Sequence, residues 1–259
     1  MNTNTVIVFV LSFFAAINTA HAAFSDPAAA SASAMLPATI LTEDLSAGDI
    51  SLHPTAGYLT AHEKTGTEGN VSLHGVGGSL TLTKALGPHL GVSIGGLYFN
   101  ESGNYDPGAT GVAGTAGTAS ATGWLGSAGL VIDPFSGNGF RMPILIGGNY
   151  ENFHTSIPTE FNSTGTTLRS PGYSFGISPR FSVGWFRVQP FFMLDIPTNK
   201  ATNACNPSST SCPATSSIDT GGILGVNLIF IPWGLSLFYN FANLIYNEGS
   251  SYLSLGYRF

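Results

Sequence analysis

The sequence predicts an all-β fold, a closed antiparallel transmembrane β-barrel of about ten strands within a range of roughly 8 to 12. Three observations predict it. Only 8% of the residues are charged, where roughly a quarter is usual for a soluble domain, yet the mean hydropathy is just +0.23. From Asp49 onward the chain is written in short segments of period-2 alternation, the mark of strands whose two faces meet different surroundings. The connections between those segments alternate between short turns and longer polar loops. Lipid-facing and lumen-facing residues alternate in a transmembrane barrel, which is why its hydropathy takes a middle value.

Residues 1–22 read as a cleaved signal peptide. Val6 to Ile17 is an unbroken apolar run followed by Ala20-His21-Ala22, a small-residue cleavage site. The run falls short of the roughly 18 residues a spanning helix needs. Residues 23–48 are rich in Ala and Ser and carry two prolines, so they read as a flexible extension on the periplasmic side, outside the core. Residues 49–259 form the barrel.

Strands are expected near 50–63, 71–84, 90–101, 119–132, 140–154, 172–183, 186–197, 218–231, 235–245 and at the C-terminus. The first two alternate most weakly. In the third, Leu90, Val92, Ile94 and Tyr98 share one face, with Gly91, Ser93 and Gly95 opposite. The fourth aligns Thr122, Trp124, Ala128, Leu130 and Ile132. The fifth sets Phe140, Ile144, Ile146 and Tyr150 against Arg141, Asn149 and Glu151, and the sixth sets Tyr173, Phe175 and Ile177 against Ser174, Ser178 and Arg180. In the seventh, Phe186, Val188, Phe192, Leu194 and Ile196 oppose Arg187, Gln189 and Asp195. The eighth carries Leu224, Val226, Leu228 and Phe230, and the ninth Leu235, Leu237, Tyr239 and Phe241. Short turns fall at 86–89, 184–185 and 232–234, with a medium one at 135–139. Longer loops fall near 102–118, 156–171 and 198–217, and short inner turns with long outer loops are what bacterial barrels show.

This register sends Arg141, Arg180, Arg187 and Arg258 into the lumen near the end that carries the short turns. Glu151 and Asp195 point inward nearer the opposite end. Charges in a confined interior must find partners, so these six read first as a bracing network. The sharper reading is a basic constriction that favours anions. A third expectation joins the extension to the arginines: Asp26, Glu43, Asp44 and Asp49 start on the side where the arginines point, and part of the extension docks there as a plug.

In the last strand Leu253, Leu255, Tyr257 and terminal Phe259 share one face, with Ser254, Gly256 and Arg258 on the other. This ending resembles the C-terminal assembly signal of Gram-negative outer-membrane proteins, with Phe259 and Tyr257 as its aromatic positions. By its whole pattern the mature chain resembles the small outer-membrane barrels of the OmpA-like, OmpW-like and opacity-adhesin types. The resemblance implies export through the periplasm, insertion by the barrel-assembly machinery, and contact with outer-membrane lipid and lipopolysaccharide.

Other chemistries are poorly supported. The net charge of −6 offers no basic face for nucleic acid. Cys205 and Cys212 lie in a polar loop at a spacing unsuited to a C-x-x-C site and read as a disulfide staple. His53, His62, His74 and His89 lack metal-ligand spacing, and the Gly-rich runs precede no helix, so no metal, nucleotide or other cofactor is expected. His154 and Ser156 with Glu160 faintly resemble the His-x-Ser arrangement of lipid A deacylases of the PagL type. The expected function is non-enzymatic, a structural envelope protein or narrow pore for small solutes. The alternative is adhesion through the outer loops, and a lipid A-modifying hydrolase is a more distant one.

Overall fold

The computed structural model describes residues 31–32, 34–37, 48–65, 69–106, 116–134, 136–137, 140–156, 166–198, 221–242 and 249–259. The expected signal peptide and the Cys205–Cys212 staple lie outside them. Ten strands form the wall: β1 (Ile50–Thr65), β2 (Gly69–Gly87), β3 (Leu90–Asp106), β4 (Gly117–Ile132), β5 (Phe140–Arg141 and Ile144–Ser156), β6 (Thr166–Ile177 and Arg180–Val183), β7 (Phe186–Pro197), β8 (Gly221–Phe230), β9 (Leu235–Ala242) and β10 (Gly249–Tyr257). β5 and β6 are interrupted at Pro143 and Pro179, which have no N–H to give the ladder. The two breaks lie side by side, and Ser178 N–H bridges them to the Pro143 carbonyl at 3.0 Å.

Every strand pairs antiparallel with its sequence neighbours, and β1 pairs with β10, so the sheet has no edge. Closure is required in hydrocarbon, where an unpaired backbone polar group costs several kcal/mol. Beyond the ladder, Phe259 N–H donates to the Leu52 carbonyl at 3.0 Å and carries the seam to the last residue. A short 3-10 turn at Ile231–Trp233 joins β8 to β9, with Gly234 in the left-handed region at φ 62°.

The outer surface has two aromatic levels. At the end of the short turns, Trp185, Phe186, Phe230 and Trp233 form a ring cluster with centroids 5.4–6.1 Å apart, and Tyr257 stacks edge-on to Phe259 at 4.7 Å. Aromatic rings gathered at one level of the wall make a girdle at this end. A second level, Tyr239, Tyr58, Tyr98, Trp124, Tyr150 and Tyr173, circles the barrel higher up, with Trp124 and Tyr150 in contact at 5.7 Å. Between the levels the outward residues include Leu80, Leu82, Ile94, Leu130, Ile146, Phe175 and Leu255, all exposed. From Leu90 to Tyr98 is eight residue steps, about 20 Å along the barrel axis at ordinary rise and tilt, close to the ~25 Å apolar band of such barrels. The exposed apolar wall is therefore the membrane-facing surface.

Above the upper girdle the polarity of the two faces exchanges. On β3, Asn100, Ser102, Asn104 and Asp106 point out while Phe99 and Tyr105 are buried inside, and on β2 Ser72 and His74 point out while Val71 and Leu73 are buried. The wall there stands in water, so its outer face is polar. β3 consequently runs to Asp106 and β6 begins at Thr166. The loops expected at 102–118 and 156–171 are shorter than that, because a polar outer face makes ladder residues above the membrane resemble loop.

Candidate functional site in the lumen

Ten strands about 4.8 Å apart, tilted by about 40°, enclose a backbone cylinder of roughly 10 Å radius. After lining side chains take about 5 Å on each side, the space left is about one chain wide. The interior has two storeys. Toward the short turns the lining is polar: Ser51, His53, Thr55, Ser79, Thr81 and Thr83 are buried. His53 Nε2 meets Ser236 Oγ at 2.8 Å, and Thr55 Oγ1 meets Ser79 Oγ at 2.7 Å and Tyr252 Oη at 3.2 Å. Toward the outer end Leu59, Leu73, Phe99, Phe153, Phe191 and Phe238 are fully buried in the lining, alongside buried Glu101, Asn149, Glu151, Asp195 and Asn240.

Part of the N-terminal segment occupies that outer storey. Ser31, Ala32, Ala34, Met35 and Leu36 are each 0% exposed. Leu36 N–H donates to the Ala32 carbonyl at 3.0 Å, one helical turn. Asn240 Nδ2 donates to the Ala34 carbonyl at 2.9 Å, and Ser31 Oγ lies 3.2 Å from Ser250 Oγ. Met35 sits where the wall has no side chain: a Cβ added to Gly77 would come within 2.6 Å of Met35 Cε and 2.7 Å of its Sδ. Of the four acids proposed to dock the extension, Asp26, Glu43 and Asp44 lie outside the described residues. Asp49 is exposed beside the base of β2, its carbonyl accepting from Ala85 N–H at 3.0 Å.

The structure draws three of the four arginines together. Arg141 on β5 and Arg180 on β6 are register partners, and Arg187 at the start of β7 donates from Nε to Ser182 Oγ at 3.2 Å. Arg180 and Arg187 are buried, and half-buried Arg141 forms an ion pair with Asp133 at 3.3 Å. His89 Nδ1 lies 2.9 Å from the Asp133 carbonyl, tying that acid to the β2–β3 turn. Arg258 stands apart, beyond the end of β10, with its N–H on the Gly234 carbonyl at 2.8 Å.

Glu151 and Asp195 meet on the opposite storey through Asn149, which alternation along β5 places on the same inward face as Glu151. Asn149 Nδ2 donates to Asp195 Oδ1 at 2.8 Å and lies 3.5 Å from Glu151 Oε1, and all three are buried. The Asn149 carboxamide reaches across β6 because Gly172 leaves the space; a Cβ there would collide with Asn149 Oδ1. Replacing Asn149 by Leu removes a donor shared by two buried acids. It is expected to cost about 1.5–3 kcal/mol in vesicle unfolding titrations, with part of the loss restored by Asp195→Asn, whose carboxamide donates to Glu151. An unchanged midpoint in Asn149→Leu would mean the cluster does not brace the wall.

His154 and Ser156 lie two positions apart on the outward face of β5, above the upper girdle, and Glu160 lies outside the described residues. His62 and His74 are exposed on the outer face of β1 and β2, and no group of three metal-binding side chains occurs among the described residues.

A closed ten-strand antiparallel barrel with an apolar outer belt and polar and charged side chains in its lumen is the architecture of a small outer-membrane β-barrel. No family model matches the chain, and no curated protein matches it by sequence. Among solved structures, the transport unit of the autotransporter AIDA-I from Escherichia coli aligns over 90% of this chain and 97% of its own, at 13% identity and a TM-score of 0.50. The translocator domain of the autotransporter NalP from Neisseria meningitidis covers 88% of this chain and 93% of its own at 11% identity and TM-score 0.46. The outer membrane protein OprG from Pseudomonas aeruginosa covers 83% and 98% at 14% identity and TM-score 0.40. At such identities the likeness to the AIDA-I unit concerns the fold alone.

Proposed function

We propose that this chain is a non-enzymatic envelope protein, exported by a cleaved signal peptide and inserted by the barrel-assembly machinery, whose lumen is closed by its own N-terminal segment. The observation that carries the reading is the complete burial of Met35 and Leu36 in a lumen about one chain wide. An open pore of this circumference needs that volume for water. Instead the outer storey is occupied by the segment and by the lining side chains, among them Phe99, Phe153, Phe191 and Phe238, which take the room water and ions would need. Arg141, Arg180 and Arg187 brace the inner mouth in this reading, and they become the basic lining of a narrow pore only when the segment leaves.

Planar-bilayer recording tests it. The full mature chain is expected to give no steady conductance. A variant lacking residues 24–46 is expected to give discrete steps with a reversal potential favouring anions. Equal conductance in the two proteins would remove the plug from the reading and leave an open narrow pore or a solid scaffold.

A further inference from the structure

The lumenal segment has a direction, and the direction assigns it a second role. Gly48 is tied to the short-turn end of the wall, its N–H on the Ala85 carbonyl at 3.0 Å. Met35 lies well above that, against Leu59 and Gly77. Asn240, which holds Ala34, sits two residues below Ala242, the register partner of Ser250, and Ser250 holds Ser31. Ser250 is also the partner of Ala61 and donates to the Thr60 carbonyl at 2.9 Å, above the girdle residue Tyr58. Traced backwards from the first strand, the chain therefore climbs from the inner mouth to a level beyond the membrane band. Only Thr65 and its three predecessors on β1 rise higher than Ala61, about 10 Å of wall. The eight residues from Ala23 to Ala30 that precede Ser31 in the expected mature chain reach about 27 Å when extended, enough to clear the rim.

We propose that the barrel delivers its own N-terminus to the outside of the cell. The lumenal segment is then a thread through the wall as well as a stopper in it: the C-terminus ends on the periplasmic side and the N-terminus is displayed at the surface. This rests on the lumenal placement proposed above, and two readouts separate the failure of one from the failure of the other.

All variants are made in the full chain with Cys205 and Cys212 replaced by Ser, and each is checked for heat-modifiable mobility of the folded barrel. The first readout is placement. The Ser31 and Ser250 hydroxyls are 3.2 Å apart, so Ser31→Cys with Ser250→Cys is expected to form a disulfide in the oxidising envelope, seen as a mobility shift that reductant reverses. The second is direction. A membrane-impermeant maleimide applied to intact cells is expected to label Ser25→Cys as fully as Asn104→Cys on the outer face of β3, while Pro88→Cys in the inner turn is labelled only after permeabilisation. A disulfide with Ser25→Cys labelled only after permeabilisation, or not labelled at all, overturns surface delivery and leaves the plug standing. Failure of the disulfide overturns both.

Discussion

Arginine in place of Ile94 is expected to destabilise the barrel in vesicles by about 2–4 kcal/mol, whereas arginine in place of Ser102, on the same face of the same strand, is expected to cost about 0–1 kcal/mol. Ile94 is 64% exposed, with Leu82 and Ala128 as its cross-strand partners, and lies midway between Leu90 and Tyr98. An exposed isoleucine on a water-soluble protein would accept arginine at almost no cost, so the size of the penalty measures the medium around the wall. Ser102 lies beyond the upper girdle, between His74 and Ser120, where the same guanidinium stays hydrated. Urea titration of both variants refolded into vesicles checks the pair. Equal, small effects at the two positions would mean that hydrocarbon does not surround the waist, and the membrane reading would fall with it.

That boundary also explains which parts of the fold the sequence disclosed. Strands β5 to β7 are legible because their outward apolar residues form long runs in one phase, Ile144, Ile146 and Tyr150, or Phe186, Val188, Phe192 and Ile196, against polar residues on much of the inner face, even though Phe153, Phe191 and Met193 also face in. β1 and β2 looked weak for a physical reason. Their apolar residues face out below the girdle, as Leu80 and Leu82 do, and face in above it, as Leu73 and Val71 do, so the phase of the alternation changes partway along one continuous strand. A reading that seeks one phase per strand averages the two halves away. The same exchange hid the upper end of β3. It also held the missing clue to the upper girdle: Tyr58, Tyr98, Trp124 and Tyr150 are each the last outward aromatic before an outward polar residue, Thr60, Asn100, Thr122 and Asn152.

The candidate site was legible only in part, again for physical reasons. Inward-pointing Arg141, Arg180, Arg187, Glu151 and Asp195 follow from register alone, since parity along a strand decides the face. Which of them meet depends on the stagger between strands and on where glycine opens room, as at Gly172 beneath Asn149. Neither is written in local alternation. The lumenal segment was harder still. A docking site at the inner mouth was inferred from the acids of the extension, while the residues seated inside are small or apolar. Met35 and Leu36 stand out in an Ala-rich and Ser-rich stretch only once a glycine-lined seat on β2 is known to await them.

Aspartate in place of Met35 is expected to expel the segment while leaving the wall intact. The Met35 side chain is fully buried against Leu59 and the bare backbone of Gly77. A carboxylate brought there, beside an aliphatic side chain and bare backbone, loses its hydration, a cost of several kcal/mol that a short segment avoids by leaving. The ladder does not depend on the segment, because each strand is held by its two neighbours around a closed circle. The expected result is a folded, heat-modifiable barrel that conducts, with a sharply reduced yield of the Ser31–Ser250 cross-link. Leucine at the same position keeps volume and polarity and is expected to cost less than about 1.5 kcal/mol with the lumen still silent. The seat can also be attacked from the wall. Phenylalanine in place of Gly77 occupies the space Met35 uses and is expected to lower cross-linking as Met35→Asp does, but to fill part of the vacated lumen and so conduct less. If Met35→Asp leaves both the silence and the cross-link unchanged, the contact between Met35 and Gly77 does not hold the barrel shut.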